Sequence, residues 1–189
     1  TAPGPLSDWT ALNAGSDLTA VNSSGAIEVD MVRNATLNYR GYTKAQPGTP
    51  YTVTFFFKSV VVQQNSQSAA VFFYDGTKVY SFEYVTQSAA ANTLRVIKFT
   101  NVTTASTVMA ATGTVLAGLA PHYGGLYLQL VNSGANLTFN WSIDGNNWHQ
   151  LFTEAVGTYM TPTHYGFGGF NVASAGAGWQ MSMQSIVVT

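Results

Sequence analysis

Apolar positions along this chain recur every second residue, the period of a half-buried β-strand. In YTVTFFFKSVVV, Tyr51, Val53, Phe55 and Phe57 fall on one face, and Thr52, Thr54 and Lys58 on the other. Phe56 interrupts the polar face, so both faces are expected to be partly covered. GLYLQLV places Leu126, Leu128 and Leu130 together, followed by the turn residues NSGAN. LTFNWSI groups Leu137, Phe139, Trp141 and Ile143 against Thr138, Asn140 and Ser142. TLRVIKFTNV alternates again, and WQMSMQSIVVT reads as a last strand. AAVFFYDGTKVYSFEYV holds two β-rich runs around Asp75-Gly76, a strong hairpin signal.

No segment carries a helical face of three turns. TASTVMAATGTVLAGLAP is ambiguous, but its Thr and Gly content favours strand or loop. Many short strands with regular turns predict an all-β fold, a two-sheet antiparallel β-sandwich of the jelly-roll kind. Pro3 and Pro5 disfavour helix, so residues 1–7 are expected to form an extended N-terminal arm and residues 8–189 one sandwich domain.

Composition narrows the function classes. Charged residues make up 8% of the chain, against roughly 25% in an average domain, and the net charge is −1. Such a chain has no basic patch to neutralise phosphates, so nucleic-acid binding is not expected. No apolar run is long enough to span a bilayer, so no membrane partner is expected. TAPGPLSDW lacks the basic and apolar regions of a secretory signal. A weakly charged surface repels its neighbours weakly, which favours work inside an assembly. There is no cysteine, so disulfides and thiolate chemistry are excluded. Five Asn-x-Ser/Thr triplets, at Asn22, Asn34, Asn101, Asn136 and Asn140, match chance in a chain this rich in those residues.

Candidate chemistry is sparse. SIDGNNW carries one acid, Asp144, too few for calcium, and reads as a hairpin turn. Glu28 and Asp30 in AIEVDMV share a strand face. They match the first half of a Glu-x-Asp-x-x-Glu set, but Arg33 stands at the third position. His122, His149 and His164 lie in separate segments without metal-ligand spacing. The glycines of GFGGF are read as letting the chain cross a sheet edge or bend closely. No catalytic residue, metal site or cofactor is expected.

Two stretches carry a resemblance. LSDWTALNAGSDLTAVNSSGAIEVDMV with LNYRGYTKAQPGTPYTVTFFF opens the chain, and LYLQLVNSGANLTFNWSIDGNNWHQLFTEAVGTYMTPTHYGFGGFN closes it. The second supplies Leu137, Ser142, Asp144, Gly145, Asn147, Trp148, Leu151, Thr161, Pro162, Gly166, Phe167 and Gly168. The pattern resembles the concanavalin A-like (lectin/glucanase-type) jelly-roll domains of tailed-bacteriophage structural proteins.

The resemblance implies a non-enzymatic protein of the virion surface, as a capsid decoration or a tail or fibre accessory. Its implied partners are other virion proteins, further copies of itself (a trimer is one option) and a host-surface glycan. The alternative is a glycan-binding receptor-recognition module of a phage tail, or a secreted lectin. For glycan contact the candidates are Tyr123, Tyr127, Trp141 and Trp179, with Asn and Gln supplying hydrogen bonds. A third hypothesis is a glycoside hydrolase using Glu28 and Asp30, which the incomplete carboxylate set disfavours.

Overall fold

The structure is a computed structural model that describes residues 2–34, 36–62, 67–88, 91–112, 125–172 and 178–189. The chain is all-β, with two antiparallel sheets of seven strands each among the described residues. With strands numbered in chain order, sheet I runs β1 (Thr10–Leu12), β4 (Arg40–Ala45), β13 (His164–Asn171), β6 (Gln67–Tyr74), β7 (Val79–Ser88), β8 (Ala91–Asn101) and β9 (Thr104–Ala111). Sheet II runs β12 (His149–Ala155), β11 (Asn136–Ser142), β10 (Leu126–Asn132), β5 (Tyr51–Val62), β14 (Trp179–Val188), β3 (Ala26–Met31) and β2 (Leu18–Ser23).

The alternation read from the sequence builds the space between the sheets. Val53, Phe55 and Phe57 of β5 and Leu126, Leu128 and Leu130 of β10 are buried there. Phe139 of β11 meets Phe73, Tyr80 and Phe82 of sheet I edge-on or tilted, with ring centres 4.8–5.9 Å apart. An ion pair also joins the sheets, with Lys98 Nζ of β8 2.7 Å from Glu154 Oε1 of β12. The Asp75-Gly76 hairpin forms as expected. Asp75 Oδ1 accepts from the backbone N–H of Thr77 and Lys78, and Gly76 takes a positive φ.

Sheet I has a second apolar layer on its outer face, which simple alternation does not predict. Phe72 and Phe73 are adjacent on β6, yet both are fully buried. Phe73 faces the main core and Phe72 the second one. The connection from β3 to β4 crosses this face and lays Tyr39 on it. Tyr39 meets Phe72 at 5.3 Å and Phe99 at 5.0 Å, and its hydroxyl lies 2.7 Å from Ser81 Oγ. A fully buried Phe contributes roughly 1.5–3 kcal/mol, enough to offset the ordering of one or two covering residues at ~1–2 kcal/mol each. The outer face of sheet II has no such layer among the described residues, and this asymmetry exposes the candidate site.

At the N-terminus, Pro3 is buried and Leu6–Asp8 form one 3-10 turn. Asn22 of the edge strand β2 pins this segment, accepting from Leu6 N–H and donating to the Gly4 carbonyl. GFGGF lies on β13, an interior strand between β4 and β6, so its glycines do not cross a sheet edge. They permit close approach of neighbouring backbone. Ile143, grouped with the β11 core positions by period, lies just past the strand end and is exposed.

Candidate functional site

On the outer face of sheet II the register of four strands aligns uncharged polar side chains. Gln150 of β12 pairs with Asn140 of β11, Asn140 with Gln129 of β10, and Gln129 with Thr54 of β5. A second row sets Thr153 beside Thr138, Val131 and Thr52. Strands lie ~4.8 Å apart, so the first row spans about 14 Å.

Hydrogen bonds join the side chains of this row. Asn140 Nδ2 donates to Gln129 Oε1 at 2.9 Å, and Gln129 Nε2 donates to Thr54 Oγ1 at 3.2 Å. Thr138 and Thr153 hydroxyls lie 2.9 Å apart. These bonds fix the amide rotamers while leaving further donors and acceptors open to solvent. The row is ordered before any ligand arrives, so little side-chain entropy remains to be lost on binding.

Beside the row stands an aromatic column. Phe56 and Tyr127 stack at 4.4 Å, and Trp148 approaches Tyr127 edge-on at 6.4 Å. Glycines close both ends. A Cβ on Gly125 would lie 2.3 Å from the Phe56 ring, and one on Gly145 would lie 3.0 Å from the Tyr127 ring. This explains the glycine of SIDGNNW: it folds the turn with a positive φ and lets the turn lie on Tyr127. Asp144 orders the same turn. Its Oδ1 accepts from Ser142 Oγ and from the N–H of Asn146 and Asn147, and its Oδ2 accepts from Asn147 Nδ2. The backbone bonds from Asn147 and Asn146, then the side-chain bonds, hold its carboxyl far below the usual range, so it stays anionic.

The residues expected to stack on sugar fare differently. Tyr123 lies outside the described residues. Tyr127 is on the outer face and half-buried, with its ring stacked on Phe56 and Gly145 close beside it, so it supports the turn. Trp141 pairs with the inward Leu128, packs against the main core and stacks on His149 at 4.8 Å. Trp179 is fully buried, and its Nε1 donates to the Phe170 carbonyl. It fills the core between the sheets and presents nothing to a ligand. Sequence reading passed over Trp148, Thr54, Gln129, Asn140 and Gln150 as site residues. The polar half of each alternating strand was a signal for them, but strand pairing was needed to bring them into one row.

Glu28 and Asp30 do share the outer face of β3. Glu28 Oε1 accepts from Ser182 Oγ at 2.7 Å, and β14 separates the pair from the polar row. Among the described residues, no three or more acids and histidines lie close enough to hold a metal ion.

No family model matches the chain, and no curated protein matches it in sequence. Solved structures do share its fold. One is the GH43 protein BlXynB of Bacillus licheniformis, 12% identical with a TM-score of 0.68, matched over 96% of this chain and 36% of that one. Another is the CBM2 module of the evolved Dit of Lactobacillus casei BL23 phage J-1, 13% identical with a TM-score of 0.56, over 91% and 79%. A third is the exoplasmic/lumenal domain of VIP36 in its Ca2+/Man-bound form, 12% identical with a TM-score of 0.60, over 96% and 82%. The chain thus spans about a third of the GH43 chain, and that likeness overturns the expectation of a non-enzyme: glycoside hydrolase chains contain this fold. At these identities the likeness establishes architecture alone: the chain is a two-sheet antiparallel β-sandwich of the jelly-roll kind, a fold it shares with a glycoside hydrolase chain, a phage Dit module and a mannose-bound lumenal domain.

Proposed function

We propose that this chain is a glycan-binding module displayed on the surface of a phage virion, held there by neighbouring virion proteins and further copies of itself. The observation that carries the glycan reading is the hydrogen-bonded row Thr54–Gln129–Asn140 on a sheet face that carries no second apolar layer among the described residues. Sugars present dense hydroxyls, each both donor and acceptor, and side-chain amides answer in both senses. Trp148, half-buried in the aromatic column beside the row, adds apolar surface for a sugar ring. The low charge and the likeness to a phage Dit module support the virion part.

Two measurements test this reading. On a glycan array the protein should bind, and the double variant Gln129→Ala/Asn140→Ala should lose that binding while unfolding at the same temperature. An array with no signal for the parent protein removes the glycan role. Quantitative mass spectrometry of purified virions should detect the chain. Copy number near that of the major capsid protein would mark a decoration protein, and a far smaller number a tail component. Absence from the particle would remove the virion role.

A further inference from the structure

We infer that the outer face of sheet II takes a neutral, hydroxyl-rich polysaccharide, laid across the strands from β12 to β5, and discriminates against polyanionic glycans. This inference rests on the glycan-binding reading and names its ligand class.

Charge placement is the first argument. The two rows formed by Gln150, Asn140, Gln129 and Thr54, and by Thr153, Thr138, Val131 and Thr52, contain no ionisable group. The charges described on this face lie off the two rows. Asp144 sits in the turn after β11, and Glu28 and Asp30 lie on β3. Lys58 is exposed on β5, four residues beyond Thr54, which puts it about 13 Å along the strand. An anionic sugar on the row would find no cation among the row residues to pair with its charge. Acidic glycans and phosphates are commonly held by Arg or Lys forks, and none stands among the row residues.

The second argument excludes a protein as the occupant of this face. Protein interfaces are anchored by aromatic or Arg side chains filling pockets in a desolvated centre. Here the centre is amide and hydroxyl, its apolar members are Val131 and the adjacent Val187, and the nearby aromatic rings pack on one another. A hydrated polysaccharide needs no such anchor. Its gain comes from many hydroxyl contacts along an ordered row, so affinity rises with ligand length until the row is spanned.

Titration calorimetry with soluble dextran, galactomannan and mixed-linkage glucan, beside hyaluronate and polygalacturonate, tests this. At least one neutral polymer should bind with an affinity unchanged between low and high salt, and the polyanions should bind at least about tenfold more weakly. Gln129→Ala should weaken the neutral ligand by about tenfold, whereas Gln180→Ala, at the far end of the face, should leave it unchanged. Oligosaccharides of the bound polymer should gain affinity with length and then plateau. Binding confined to the polyanions and fading with salt overturns the inference and leaves the glycan reading standing. Binding that Gln129→Ala does not change moves the ligand off this row and also overturns it. Binding of none of the polymers, together with an empty array, overturns both.

Discussion

Trp179→Ala is expected to destabilise the protein by about 3–5 kcal/mol, the range for deleting a fully buried large aromatic. Trp179 lies on β14, between the sheets, with no exposed surface. Its cross-strand partners Met31 on β3 and Val62 on β5 are buried in the same core, so the space left by the indole would open among side chains that are already packed. Its Nε1 also reaches across to the Phe170 carbonyl of β13, 3.1 Å away, so one side chain ties sheet II to sheet I. Trp179→Phe separates these contributions. It keeps most of the apolar volume and removes the donor, for a smaller loss of about 1–3 kcal/mol. Urea unfolding should show the midpoint falling in that order with little change in slope. An alanine variant with the parent midpoint would put Trp179 back at the surface and revive it as a sugar-stacking residue.

The buried position of Trp179 was legible in the sequence. Trp179, Met181 and Met183 alternate with Gln180, Ser182 and Gln184, and an amphipathic strand puts its apolar set inside. Reading the tryptophan for its chemistry, apart from its strand, hid this. The same alternation gave β5, β10 and β11 and their core residues, because each has one buried and one open face. It failed on β6, where QSAAVFFY is buried on both faces. The cover comes from Tyr39, far away in sequence, and no local period encodes it. The polar row was only half legible. Thr54, Gln129 and Asn140 read as outward-facing, but their alignment depends on two strand registers. The β11–β12 register also shifts at Phe139/Asn140, an irregularity that period two cannot place. Tyr127 lies between Leu126 and Leu128, so period two turns it to the outer face. Its packing is not legible locally, because Gly125 and Gly145, which approach Phe56 and Tyr127, lie at opposite ends of the stretch that holds β10 and β11.

Gly169→Ala is expected to be comparably damaging, by about 2–6 kcal/mol, combining a glycine-only backbone with overpacking. Gly169 has φ +150°, and a Cβ there would lie 1.8 Å from the Ser68 carbonyl oxygen and 2.8 Å from its carbon. Those atoms belong to the backbone of β6, paired with β13 in the middle of sheet I, so neither strand can move without breaking its ladder. On the other side the Cβ would press on Trp179 Cζ2 at 3.2 Å, which couples this substitution to the tryptophan that joins the sheets. Gly134→Ala is the matched control. Gly134 also has a positive φ, +83°, but nothing lies within 4 Å of its Cβ position. That variant bears only the left-handed backbone penalty, about 1–2 kcal/mol. Equal losses in the two variants would mean that backbone conformation alone sets the glycine requirement. A loss at Gly169 exceeding that at Gly134 by the overpacking cost would assign GFGGF to the close approach of β13 and β6, the contact that lets Trp179 of sheet II seat against sheet I. In the double variant Gly169→Ala/Trp179→Phe, the smaller ring relieves only the side-chain part of the clash. Most of the Gly169 loss should therefore persist, because the carbonyl of Ser68 does not yield.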